Sequence, residues 1–123
     1  MGGIRKAFTL IEVLVVLVVL GILSGIAIAR FVDTKEAAYL SSMKADLRNL
    51  AIYEQNYLIE SQGSYFAGTG AAQGFIATPG VTIAATADPG PPPTWNAIAT
   101  HDKTPKTCSI TTSGPSAWDI SCP

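Results

Sequence analysis

The chain has 123 residues and a formal net charge of −1, with eight Lys and Arg against nine Asp and Glu, and its length suits one small domain. The basic residues are scattered and their longest run is Arg5-Lys6, so charge provides no basis for nucleic-acid binding. We therefore expect no nucleic-acid partner for the monomer.

An uninterrupted apolar segment lies close to the N-terminus. Val13 to Ala29 is a run of seventeen residues without a charge, which spans about 25 Å as a helix, and residues 8–12 and 31–32 extend it toward the roughly 30 Å of a hydrocarbon core. Its Leu, Ile and Val side chains favour membrane insertion by about 4–7 kcal/mol. Arg5 and Lys6 precede the run, so the positive-inside rule predicts a cytoplasmic N-terminus and an exported remainder.

One carboxylate, Glu12, stands inside this apolar region, and several interpretations compete for it. A secretory signal cleaved after the small residues 27–29 is one, but the run exceeds the usual ~7–15 residues and Glu12 is out of place there. A plain single-pass anchor leaves Glu12 unexplained, because an intramembrane carboxylate is costly and functional by default. A Glu12 that is merely solvated at headgroup level is the structural alternative. The last interpretation takes the segment KAFTLIEVL, residues 6–14, as a processing signal.

The longer segment KAFTLIEVLVVLVVLGIL, residues 6–23, resembles the N-terminus of a type IV prepilin. The shared features are a basic flank, a small residue, Phe8, a Glu four positions later and an unbroken apolar run. The resemblance implies cleavage between Ala7 and Phe8 by a prepilin peptidase, then N-methylation of Phe8. The residue before the cut is Ala7 in this chain, whereas it is usually Gly in the family. The resemblance also implies that Glu12 pairs with the amine of Phe8 in a neighbouring subunit, which sets the register of otherwise featureless helices.

This resemblance implies a structural protein rather than an enzyme. The expected product is a subunit of a type IV pilus-like filament, stored in the bacterial inner membrane with its N-terminus cytoplasmic and its C-terminal domain outside. Expected partners are the prepilin peptidase and methyltransferase, the pilus assembly machinery and further copies of the chain, which form a helical extracellular filament. The alternatives are a minor pilin or type II secretion pseudopilin, and a soluble secreted binding domain cleaved after Ala29.

No motif for catalysis, phosphate binding or metal ligation accompanies these features, so we expect no catalytic residue, cofactor or metal. His101 is the one histidine of the sequence, and we expect it to be exposed or to cap a turn. From Phe31 onward there are five basic and eight acidic side chains, which argues against a DNA-uptake receptor with a basic outer domain.

The helix is predicted to continue beyond the apolar run to about Gln62. Residues 31–62 contain no Pro or Gly, and Gly63 is expected to cap the helix C-terminus. Charged side chains, including Asp46 and Glu54, are assigned to a solvated face. Apolar residues recur at spacings of three and four, which predicts one buried stripe: Leu40, Met43, Leu47, Leu50, Tyr57 and Leu58. Tyr53 and Tyr57 are expected to pack against the sheet.

Two glycines, Gly21 and Gly25, lie within the apolar half of the helix. Each weakens a helix by about 1 kcal/mol relative to Ala. They indicate either close packing of helices or local melting, although many pilins place a Pro where this chain has Ala29.

The C-terminal half is predicted to form a loop, a Pro-rich spacer and a small antiparallel sheet. VTIAATA, residues 81–87, is a possible strand, and further strands are expected at 94–101, 106–112 and 117–122, with turns at DKTP and SGPS. The fold class is therefore α+β, a long N-terminal helix packed on a small antiparallel sheet. The expected segments are the leader 1–7, the membrane-spanning or filament-core helix 8–30, its amphipathic continuation 31–62, the loop and spacer 63–93, and the β-meander 94–123.

Cys108 and Cys122 form a disulfide if the C-terminal half is exported, whereas free thiols are expected in a cytosolic chain. The pair resembles the terminal disulfide loop of many pilins, and it argues against the calcium-binding major pseudopilins, which generally lack it. A bridge would close a loop of fifteen residues, worth about 3 kcal/mol in the chain-entropy model.

Overall fold

The computed structural model describes residues 2–3, 6–114 and 117–123. The chain forms two compact units, Met1–Lys35 and Glu36–Pro123. One helix, α1 (Leu10–Glu60), begins in the first unit and continues into the second. Parts of the expected leader and of the expected SGPS turn lie outside the described residues: positions 1, 4, 5, 115 and 116.

The C-terminal end of α1 is closed by a residue in the left-handed conformation. The helix stops at Glu60, slightly before the expected Gln62, and Gln62 itself has φ 59. The Gly63 N–H donates to the Leu58 carbonyl oxygen at 3.0 Å, which satisfies one of the carbonyl groups that a helix end leaves free. Gly63 thus takes part in the cap as expected, while the left-handed turn falls one residue earlier.

Four antiparallel strands follow α1 and pair in chain order. They are β1 (Val81–Asp88), β2 (Thr94–His101), β3 (Thr104–Thr111) and β4 (Ile120–Ser121). β2 has the expected bounds, β3 begins two residues early, and β4 is shorter than expected. The sheet begins before the predicted meander at 94–123, because β1 pairs with β2 over its whole length, from Val81 opposite His101 to Asp88 opposite Thr94.

Alternation along the strands creates the face that packs on α1. Alternate residues of both strands are buried, at 81, 83 and 85 in β1 and at 95, 97 and 99 in β2. These side chains form one cluster with Met43, Leu47 and Leu50 of α1, each of which is 0 % exposed. Burial of a large apolar side chain stabilises a fold by about 1.5–3 kcal/mol, so these contacts hold helix and sheet together. The predicted buried stripe is confirmed for Met43, Leu47 and Leu50, whereas Leu40, Tyr57 and Leu58 are half-buried. The α+β fold class is confirmed.

The segment between α1 and β1 covers the C-terminal part of the helix. Phe66 and Phe75 from this loop are buried. Tyr57 packs edge-on against Phe66 with ring centroids 5.6 Å apart, and Tyr53 packs against Phe75 at 5.7 Å. The two tyrosines therefore stack on aromatic side chains of the loop, and both also pack against the core cluster that α1 forms with the sheet.

Gly70 allows the loop to approach the helix closely. Its φ is +75, and a Cβ placed there would lie 3.1 Å from Leu50 and 3.2 Å from Phe66. A larger residue would meet both the backbone strain of a left-handed conformation and these side chains.

Candidate processing and assembly site

The start of α1 is built by the residues next to the predicted cleavage point. Thr9 precedes the helix, and the Glu12 N–H donates to the Thr9 carbonyl oxygen at 3.1 Å and to Thr9 Oγ1 at 3.3 Å. Thr9 therefore acts as the N-cap and Glu12 occupies the third helical position, as in a capping box. A carboxylate in the first turn also interacts favourably with the helix dipole. The sequence signal for this cap is the spacing of Thr9 and Glu12 in TLIE, residues 9–12.

Phe8 and Glu12 lie on one apolar surface of the first unit. Together with Val13, Val16 and Leu17 they line a shallow depression of about 350 Å³. The Phe8 side chain is 80 % exposed. Within one chain, the carboxylate thus sits beside apolar side chains that contribute no countercharge.

The rest of the apolar run is equally uncovered. α1 contains a stretch that is long and apolar enough to cross a membrane, and none of that stretch is buried within the protein. A signal sequence near an N-terminus meets the same criterion of length and composition. The helix continues unbroken through Gly21, Gly25 and Ala29. A Cβ on either glycine would meet nothing within 4 Å, so packing inside a single chain does not explain these two residues.

The structure joins Cys108 and Cys122 in a disulfide. Cys108 is fully buried on β3, and Cys122 follows β4. The bridge connects the two-residue strand β4, paired through Ser109–Ser121 and Ile110–Ile120, to the middle of the sheet. Such a short strand has few ladder hydrogen bonds of its own, so the covalent link holds the C-terminal segment in place.

Two carboxylates assigned to the solvated face of the helix are in fact buried, so that prediction is wrong for Asp46 and Glu54. Asp46 is 4 % exposed and accepts hydrogen bonds from the Thr78 N–H at 2.8 Å and the Thr78 hydroxyl at 2.9 Å. Glu54 is 0 % exposed, and its Oε2 accepts a hydrogen bond from the Phe66 N–H at 3.1 Å. Both side chains accept hydrogen bonds from backbone N–H groups of the loop between α1 and β1. The periodicity of the helix sequence contains no information about these partners.

Glu54 differs from Asp46 in being only partly satisfied. Its Oε1 is buried and has no hydrogen-bond partner among the described residues. Burial raises the pKa of Glu54 from its usual 4.5 to about 7, against the smaller opposing effect of the Phe66 N–H hydrogen bond. This carboxyl therefore changes its charge near neutral pH.

His101 is less exposed than expected, with 8 % of its side chain accessible. Its ring stacks on Tyr39 with centroids 4.4 Å apart, and Nδ1 accepts a hydrogen bond from the Lys103 N–H at 3.1 Å. The expected role in capping a turn is thus present, and packing against α1 replaces exposure. Asp102 lies 3.0 Å from the same nitrogen.

The architecture, a long N-terminal helix packed on a four-stranded antiparallel sheet, is pilin-like. Residues 4–28 match the family model for the prokaryotic N-terminal methylation motif, which is the prepilin signature of type IV pilins. The predicted resemblance is therefore confirmed over this segment. A search of the curated proteins found no match to the chain.

The motif supports a prepilin substrate of the type IV pilin or pseudopilin kind. It implies processing by a prepilin peptidase and pilus assembly, and it points to a structural protein rather than an enzyme. Together with the apolar start of α1, the motif fits a membrane-anchored precursor.

Proposed function

We propose that the chain is a structural subunit of a type IV pilus-like extracellular filament, stored in the inner membrane and assembled after removal of a leader. The observation that supports this most directly is the methylation motif, which runs into an apolar helix that the protein leaves wholly uncovered. Cleavage falls between Ala7 and Phe8, and the new amino group on Phe8 is methylated. The leader comprises residues 1–7, and residues 8–30 form the membrane-spanning and filament-core part of the helix.

The exposed apolar side chains explain why the chain occupies two environments in succession, first the membrane and then the filament. A run of this length is stable in a bilayer, because its Leu, Ile and Val side chains contact hydrocarbon tails there. Outside the membrane the same side chains need another apolar partner, because water does not solvate them favourably. Copies of the same helix provide that partner, so extraction from lipid is coupled to assembly.

Glu12 sets the alignment between neighbouring helices in this proposal. Its carboxylate lies next to the apolar residues Val13, Val16 and Leu17 and pairs with the amine of Phe8 in the next subunit. A carboxylate left unpaired among apolar side chains is strongly disfavoured. One axial offset between subunits is therefore preferred over all others.

Mass spectrometry of the N-terminus tests the processing step. The expected product begins at N-methylated Phe8, and electron microscopy of purified fibres should show filaments whose protein is this chain. A product that begins at Arg30, released as a dispersed protein, would instead establish the secreted binding domain cleaved after Ala29.

Within the filament class, the abundance of the chain decides between a major subunit and a minor pilin or pseudopilin. A major subunit accounts for most of the fibre mass. A minor pilin or pseudopilin would be found at few copies per fibre, and fibres would then consist mostly of another protein.

A further inference from the structure

Residues 64–67, which we call the flap, lie between two glycines in the left-handed region of φ. Gly63 has φ +110 and Gly68 has φ +108, and a Cβ on either would meet nothing within 4 Å. Loop positions of this kind absorb changes in φ and ψ at little steric cost. The chain is held on both sides of the flap. The Gly63 N–H bonds to the helix end at Leu58, and Gly68 exchanges two hydrogen bonds of 2.8 Å with Ala85 of β1.

One buried aromatic side chain and one side-chain hydrogen bond attach the flap to α1. Phe66 is 4 % exposed and packs edge-on against Tyr57. The hydrogen bond is the one that the Phe66 N–H donates to Glu54 Oε2 at 3.1 Å. Within the part of the chain that the structure describes, residues 65–67 make no other hydrogen bond. The Glu54 carboxyl is therefore their single polar attachment.

Glu54 lies at this contact without a countercharge. It is 0 % exposed, and it forms no ion pair with any described residue. The other ionisable groups within eight residues of it on α1, on the flap and on the strands β1 and β2 are Asp46, Arg48, Tyr53, Tyr57, Glu60, Tyr65, Asp88 and His101. An ionised Glu54 is therefore a buried charge with one hydrogen bond, a state that is strongly disfavoured unless water reaches it.

We propose that the flap is a pH-dependent cover, closed over Glu54 while this carboxyl is protonated and opening increasingly as the proton is lost to solvent. Opening admits water to Glu54 Oε1, which has no hydrogen-bond partner among the described residues. Rotation at Gly63 and Gly68 allows the movement while α1 and the sheet stay in place. The raised pKa of Glu54, about 7, sets the change near neutral pH.

An open flap changes the surface of the second unit. The ring of Phe66 leaves its contact with Tyr57 and meets water, so the unit presents more apolar surface as the pH rises. The inference concerns this unit alone and does not rest on the filament function.

The other attachments of the same loop serve as internal references. Both carboxylate oxygens of Asp46 accept hydrogen bonds from Thr78, so neither oxygen is left unpaired. Gly68 and Ala85 are joined through backbone groups, which do not ionise. The Phe66 N–H should therefore lose protection from solvent as the pH rises, while the N–H groups of Gly68 and Thr78 keep theirs.

Amide hydrogen exchange of the full-length chain in detergent tests this difference. Each exchange rate is divided into that of an unstructured chain at the same pH, which gives a protection factor. Protection of the Phe66 amide should fall by about 50-fold between pH 5 and pH 8, because the closed flap covers a group with a pKa of about 7 and the open flap releases one near 4.5. The Gly68 and Thr78 amides should change by less than about threefold.

Two matched variants assign the change to one carboxyl. In Glu54→Gln the protection of Phe66 should not vary with pH, whereas Glu60→Gln, which removes an exposed carboxylate of α1, should follow wild type. At pH 8, chymotrypsin should cleave after Phe66 about tenfold faster in wild type and Glu60→Gln than in Glu54→Gln, because cleavage follows the population of the open form.

The wild-type exchange profile decides the proposal even without the variants. Constant protection of Phe66 between pH 5 and pH 8 would overturn it. A fall that Gly68 and Thr78 share to the same extent would also overturn it, since the whole loop or the whole unit would then open and not the flap. Glu54→Gln with the same pH profile as wild type would show that another group is responsible.

Discussion

The buried carboxyl of Glu54 makes stability depend on pH in a direction opposite to that of an ordinary salt-bridged carboxylate. Its pKa rises from 4.5 to about 7 on folding, because burial disfavours the charged form. The folded state therefore binds this proton more tightly than the unfolded state. The resulting stabilisation is fully present below about pH 4.5 and is lost as the pH rises through the interval from 4.5 to about 7.

The size of the effect follows from the pKa difference. One pKa unit corresponds to about 1.4 kcal/mol, so the contribution that disappears across this interval is about 3 kcal/mol. Above pH 7 the folded protein holds a carboxylate whose Oε2 accepts one hydrogen bond from Phe66 and whose Oε1 has no partner among the described residues. Deprotonation therefore acts where α1 meets the loop that carries Phe66.

Glu54→Gln isolates this group. Glutamine keeps an acceptor for the Phe66 N–H and cannot ionise, so any packing cost of the substitution is the same at every pH. The difference in unfolding free energy between wild type and variant should shift by about 3 kcal/mol in favour of the variant between pH 4.5 and pH 8. Denaturant unfolding of the full-length protein in detergent, followed by the fluorescence of buried Trp95, measures it.

The control is Glu60→Gln, which removes an exposed carboxylate from the last turn of the same helix. This variant should not reproduce the pH-dependent gain of Glu54→Gln, because it leaves the buried carboxyl in place. The assignment of a protonated carboxyl to Glu54 would be refuted by either of two results. The difference in unfolding free energy between wild type and Glu54→Gln could be independent of pH, or it could change in favour of wild type as the pH rises.

Three further predictions concern the N-terminus, the disulfide and the second buried carboxylate. Glu12→Ala should leave membrane insertion intact and prevent incorporation into filaments, scored by membrane fractionation and electron microscopy; normal fibres would contradict the role given to this charge. Replacing Cys108 and Cys122 by Ser should lower the free energy of unfolding by about 3 kcal/mol and expose the C-terminal half to protease, whereas alkylation of both thiols in unreduced native protein would show that no bridge forms. Asp46→Ala should cost about 2–4 kcal/mol by removing both acceptors of Thr78, and Asp46→Asn should recover part of it; equal stability of all three proteins in denaturant unfolding would show that these bonds contribute nothing.

Local rules predicted the helix and most of the sheet. The spacing of Met43, Leu47 and Leu50 identified the buried face of α1, since a helix repeats its faces every three to four residues whatever packs against it. β2 was predicted with the correct bounds because turn residues flank it on both sides. The sequence indicates β1 only as a possible strand, because its alternation of Ala and Thr has little contrast in hydrophobicity and the strand is defined by its pairing with β2.

The N-terminal signature can be recognised from the sequence alone, because a small residue, Phe8, Glu12 and an apolar run follow one another closely in the chain. Membrane insertion of the run likewise depends on its composition and not on a tertiary fold. The environments of Asp46 and Glu54, in contrast, depend on residues that are distant in the chain. Their partners, Thr78 and Phe66, lie 32 and 12 residues further along the chain, and no helical periodicity carries information about a loop that folds back over it. A carboxylate's burial and pKa depend on those distant backbone groups, so they emerge only when the loop is packed against the helix.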